Sequence, residues 1–158
     1  MKSSNGFTYI ELLISFSLTV LILATVVPVI GAITREAEQN VDHVVLQREA
    51  SALHFLLLNE MKQGYHFRVM GGDLYFQLDD ARTVQLEHRQ GQLGRRLSKR
   101  GAQGPFEGYI LLSRHIDHID YHLDEDGNGV TIRVLYKKGD AAMTLETHWR
   151  SRIEREGG

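Results

Sequence analysis

LLISFSLTVLILATVVPVIGAI, residues 12–33, runs for 22 residues without a charged side chain. At ~1.5 Å per residue, a helix of that length covers ~33 Å, enough to cross a hydrocarbon core of ~30 Å. The stretch is apolar all round rather than along one stripe, which sets it apart from a helix that packs one face on a globular core. Arg35, Glu36 and Glu38 close it sharply. A cleaved secretory signal needs a charged segment directly before its apolar run and a small-residue cleavage site after it. Here residues 1–6 (MKSSNG) carry only Lys2, Glu11 directly precedes the run, and Gly31, Ala32 and Ile33 make a poor cleavage site. The reading is a single membrane span. Lys2 favours a cytoplasmic N-terminal flank, which puts the chain beyond Arg35 outside the cytoplasm.

Glu11 is the residue that this reading has to explain. An ionisable side chain costs about 2.5–3.5 kcal/mol at the bilayer centre and less near the interface, so it marks a functional candidate in need of a partner. The ordinary account is a carboxylate at the interface, helped by the positive end of the helix dipole. Lys2 is the only basic side chain nearby. A cut after Gly6, however, would create a cation at the α-amine of Phe7, four residues before Glu11.

GFTYIE, residues 6–11, followed by an uninterrupted apolar helix, resembles the class III signal of type IV pilins and pseudopilins. The resemblance implies that a prepilin peptidase cuts between Gly6 and Phe7 and that Phe7 becomes N-methylated. It also implies that Glu11 pairs with the N-terminal amine of a neighbouring subunit during assembly. Pro28 falls where pilin helices commonly carry a kink or an unwound turn.

Beyond Ile33 the chain continues without a turn signal. Leu46, Ala50, Leu53, Leu57 and Met61 recur at helical spacing, with Val45, Ala52 and Leu56 widening the stripe, while Glu36, Asp42, Arg48, Glu49 and Glu60 take the remaining surface. Gly64 is a stop. The spacing predicts one continuous helix over residues 8–62, kinked near Pro28 and Gly31. Short strands are expected at 65–70, 74–78, 83–88 and 92–97. A β-meander follows, from 115–123 through the turn at 125–129 to 130–137 and then 143–149. The fold class is α+β, with one long N-terminal helix laid across an antiparallel sheet. Four segments result: a leader at 1–6, a membrane-spanning assembly helix at 7–34, an amphipathic continuation at 35–64, and a sheet domain with a polar tail at 65–158.

Within the pilin-like family, the run from GRRL (94–97) through HIDHI (115–119) to the Asn128–Gly129–Val130 hairpin resembles ComGF-type minor pseudopilins of Gram-positive competence systems. That likeness is looser, spread with insertions over residues 94–130. It implies a role in a DNA-uptake pseudopilus, with other pseudopilins and prepilin peptidase as partners. A minor pseudopilin of type II secretion, a minor type IV pilin, a membrane-anchored DNA-binding adhesin and a membrane-anchored enzyme are the alternatives.

Other constellations have competing readings. DEDGNG at 124–129 begins like a calcium loop, but its twelfth place is Leu135 rather than a bidentate glutamate, and a hairpin turn accounts for the same residues. His118, Asp120 and His122 would share one face of a strand and have the chemistry for a divalent metal, but that face is expected to be solvated, so no metal site is assigned. Arg95, Arg96, Lys99 and Arg100 form the densest basic cluster and are the candidates for DNA contact. Against that, removing Lys2 and Glu11 from the totals of 18 basic and 20 acidic residues leaves 17 against 19, so the exported part carries −2 and bulk charge does not attract polyanions. Tyr65, Phe67, Tyr75 and Phe76 are read as core. The lack of cysteine excludes disulfides, thiolate zinc sites and cysteine nucleophiles. Ser98 and Ser113 lie in no G-x-S-x-G motif, and there is no Walker lysine motif and no H-E-x-x-H, so neither an enzyme nor a cofactor is expected.

Overall fold

The computed structural model describes residues 8–101 and 104–151. The fold is α+β: helix α1 (Tyr9–Met61) is followed by eight strands. The strands are β1 (Tyr65–Met70), β2 (Asp73–Gln77), β3 (Thr83–Arg89), β4 (Gln92–Ser98), β5 (Glu107–Ser113), β6 (Ile116–Leu123), β7 (Gly129–Lys138) and β8 (Ala141–Arg150). The chain divides into two compact units, one through Asn40 and one from Val41.

In the first unit every described side chain from Tyr9 to Asn40 is exposed, including the whole apolar run. One helix here is long and apolar enough to cross a membrane. It continues through Pro28 without unwinding. Four of its hydroxyl side chains are turned inward on their own backbone. Ser17 donates to the Leu13 carbonyl at 2.8 Å, Thr19 to Ser15 at 2.8 Å, Thr25 to Ile22 at 2.9 Å and Thr34 to Ile30 at 2.7 Å. Such back-bonding satisfies a polar group without a partner outside the helix.

In the second unit the strands form two antiparallel sheets rather than one, β1-β2-β3-β4-β5 and β6-β7-β8. Leu46, Ala50, Leu53, Leu57 and Met61 supply the buried stripe of the helix, while Val45 is half-buried and Ala52 and Leu56 face outward. The stripe joins one core with Phe67, Leu74, Phe76, Val84, Leu86 and Leu93 from the first sheet and Ile116, Ile119, Val130, Ile132, Val134 and Tyr136 from the second. Each fully buried Leu, Ile or Phe in that cluster contributes about 1.5–3 kcal/mol by leaving water.

β5 is a strand that the periodicity does not predict. Its pairing with β4 is interrupted twice, and Gly108 adopts a left-handed backbone with φ of 69°. The chain then passes to the second sheet through Arg114 and His115, and His115 takes a φ of 58°, a region that side chains other than glycine rarely occupy. This turn divides the strands into two sheets. Ion pairs between helix and strands add to the packing: Asp42 with Lys138 at 2.8 Å and Glu60 with Arg95 at 2.6 Å.

Candidate functional site

The start of α1 is built from two side chains. Thr8 precedes the first helical turn, and its hydroxyl accepts the Glu11 backbone N–H at 3.3 Å. In return, the backbone N–H and the hydroxyl of Thr8 both donate to Oε2 of Glu11, each at 2.9 Å. This reciprocal arrangement satisfies two orphan donors at the helix end and fixes the direction of the carboxylate. Oε1 of Glu11 has no partner among the described residues. The carboxylate is therefore anchored by one oxygen and presents the other, at the mouth of a helix whose next 22 residues are uncharged. The T-x-x-E spacing at 8–11 is visible in the sequence and identifies the cap. Gly6 and Phe7, the residues flanking the expected cut, lie outside the described residues.

The basic cluster does not form one surface. Arg95 and Arg96 are successive residues of β4 and point to opposite faces. Arg95 faces the helix, where Glu60 neutralises it, and Arg96 lies 3.1 Å from the buried carboxylate of Glu87 on the other face. Arg95, Lys99 and Arg100 line a cleft of about 540 Å³ beside Pro105 and Ile110.

The turn at 124–129 is closed by its own chain. Asp126 pairs with Arg150 at 2.6 Å, and Asp124 lies 3.6 Å from His148. On the outer face of the second sheet, His118 engages Asp120 at 2.9 Å, while His122 and Asp120 border Thr131 and Arg133 around a hollow of about 250 Å³. Among the described residues no group of three or more His, Asp or Glu side chains converges on a point where a metal ion would sit. Ser113 lies beside Glu49 at 3.1 Å and Tyr136 at 3.3 Å, and burial pushes the Tyr136 phenol up to about 12. Those groups tie the helix to both sheets.

Tyr65, Phe67 and Phe76 are buried as expected. Tyr75 is not in the core: it lies on the far face of the first sheet, where its hydroxyl accepts from the Gln85 amide at 3.0 Å and its ring meets Phe106 edge-on. Comparison with protein families, with curated proteins and with solved structures yields no match.

Proposed function

We propose that the chain is a minor pseudopilin of a DNA-uptake pseudopilus, held in the membrane by α1 and assembled through it. The observation that carries this reading is the carboxylate of Glu11, tethered by Thr8 through one oxygen and offering the other directly before the uncharged run of 22 residues. In this reading prepilin peptidase cuts between Gly6 and Phe7, and the methylated amine of Phe7 is the cation that Glu11 of a neighbouring subunit takes up. Pairing in a low-dielectric setting enforces register, because a charge left without its partner there is costly. The N-terminus faces the cytoplasm, and the unit from Val41 lies outside it, in contact with other subunits of the same pseudopilus. No catalytic step is involved.

Mass spectrometry of the N-terminus in the native host tests the processing step; a chain beginning with methylated Phe7 is the expected result. Glu11→Ala is expected to insert into the membrane normally and to be lost from the assembled pseudopilus, with transformation falling accordingly. Retention of residues 1–6 in the working protein, or normal assembly of Glu11→Ala, overturns the proposal. Co-purification with the pseudopilins of a competence operon, as against those of a secretin-linked operon, separates DNA uptake from type II secretion.

A further inference from the structure

Thr83, Gln85 and Glu87 alternate along β3 on the sheet face turned away from the helix, yet all three are buried. Glu87, only 2% exposed, stands opposite Gly94 of β4. The ring of Tyr109 occupies the space above Gly94, where an added Cβ would lie 2.0 Å from a ring carbon. Glycine at that position gives the tyrosine a seat on the backbone, and the ring still leaves Tyr109 48% exposed. Two arginines close on the carboxylate beside it. Arg96 Nε lies 3.1 Å from Oε2 of Glu87, and Arg89 Nε contacts Oε1. The Arg96 guanidinium also approaches the Tyr109 ring, at 5.8 Å from its centroid. Side chains of Arg89 and Arg96 remain 72% and 36% exposed.

The chemistry of this cluster is specific. One carboxylate shared by two guanidinium groups leaves a local charge of +1, and each arginine has five N–H donors, more than Glu87 can take. A buried acid thus makes ion-pair contacts with two cations that reach the surface beside an aromatic face. The pattern extends along one cross-strand row, since Arg68 pairs with Tyr75, Tyr75 with Gln85 and Gln85 with Arg96. A second arginine and tyrosine therefore stand on the same face, with strands ~4.8 Å apart.

We propose that this face binds single-stranded nucleic acid, with a base stacked on Tyr109 and the adjoining phosphate held by Arg89 and Arg96. Rings and guanidinium groups on one face fit a chain that alternates flat bases and anionic phosphates. A duplex hides its base faces in its own stack, so only an unpaired strand can use both. The overall charge of −2 makes the attraction local rather than global. The inference rests on the sheet face and stands apart from the assembly role of Glu11.

The test is fluorescence anisotropy of a labelled oligo-thymidylate titrated with the full chain in detergent micelles, with a duplex of equal length and poly-glutamate as comparison probes. The single strand is expected to bind, and Arg89→Ala and Tyr109→Leu, both at exposed positions, are expected to weaken it tenfold or more. Removal of Arg89 should also lower the slope of log affinity against log salt by about 0.7. Glu87→Gln discriminates further: it removes a negative charge, so attraction by charge alone would tighten, whereas loss of the shared anchor weakens binding. Absence of binding, equal affinity for the duplex, equal displacement by poly-glutamate, or indifference to Tyr109→Leu each overturns the proposal, the poly-glutamate result pointing instead to an acidic protein surface.

Discussion

Oε2 of Glu49, on the helix, accepts a hydrogen bond from the Ser113 hydroxyl at 3.1 Å and a second from the backbone N–H of Arg114 at 3.2 Å. Ser113 ends β5, and Arg114 begins the left-handed passage into β6. One helix carboxylate therefore clasps the crossing between the two sheets. Glu49→Ala removes the nearer of two acceptors, Glu49 and Tyr136, around a hydroxyl that is almost fully buried, together with the acceptor of the Arg114 N–H. The expected cost is about 1–3 kcal/mol, read as a lower midpoint in urea unfolding of the detergent-solubilised chain.

Two neighbouring helix positions should behave oppositely. Leu53 is fully buried and Phe55 is 64% exposed. Leu53→Ala is expected to lose about 2–5 kcal/mol through lost transfer energy and the cavity it leaves. Phe55→Ala should shift stability by no more than about 0.5 kcal/mol. Equal unfolding midpoints for the two variants would mean that the helix packs on another face.

Gly64 follows the helix because of what lies above it rather than because of a left-handed backbone. A Cβ at that position would come 2.9 Å from a ring carbon of Phe76, itself fully buried, and 3.4 Å from Phe67. Gly64→Ala should therefore cost about 1–3 kcal/mol by overpacking, even though alanine has less backbone entropy to lose on folding than glycine does. Thermal unfolding followed by circular dichroism measures it.

Alkaline pH should weaken the fold through Tyr136. Its phenol is raised chiefly by burial, with the Glu49 charge adding to the rise and the Ser113 bond opposing it, to about 12 against an ordinary 10. Between those values the unfolded chain gives up the proton and the folded chain keeps it. Stability is thus intact below pH ~10 and declines as pH rises toward 12. Tyr136→Phe should flatten that part of the stability–pH curve, as followed by urea titrations at stepped pH.

The cap at the start of the helix can be removed on its own. Thr8→Ala removes the hydroxyl that both accepts from and donates to Glu11. The first turn should fray by about 1 kcal/mol, seen as faster amide exchange at residues 9–12, with membrane insertion unchanged.

Much of this architecture can be read from residue order. The uncharged run at 12–33 has no competing length or pattern, and the buried helix positions repeat at the spacing that a helix packed on a core requires. The division into two sheets is harder to see. His115 makes the turn that a glycine or proline would have announced, so no turn residue marks the passage from β5 to β6. β5 is hidden for a related reason, since its two interruptions spoil the alternation that marks a strand. At the basic cluster, adjacency in sequence misleads: Arg95 and Arg96 lie side by side along the chain and on opposite faces of β4, and each has its own acidic partner. Tyr109 over Gly94 and the buried Glu87 between two arginines depend on registers that only the folded sheet reveals.

Ser17, Thr19, Thr25 and Thr34 each donate their hydroxyl to a carbonyl one turn back. Seen from outside, those four alcohols are masked, and a surrounding oil would meet mostly methyl and methylene groups. The segment should therefore partition into lipid more strongly than an average over its residue types implies, and detergent should stay bound to it through purification after weaker contacts have washed away.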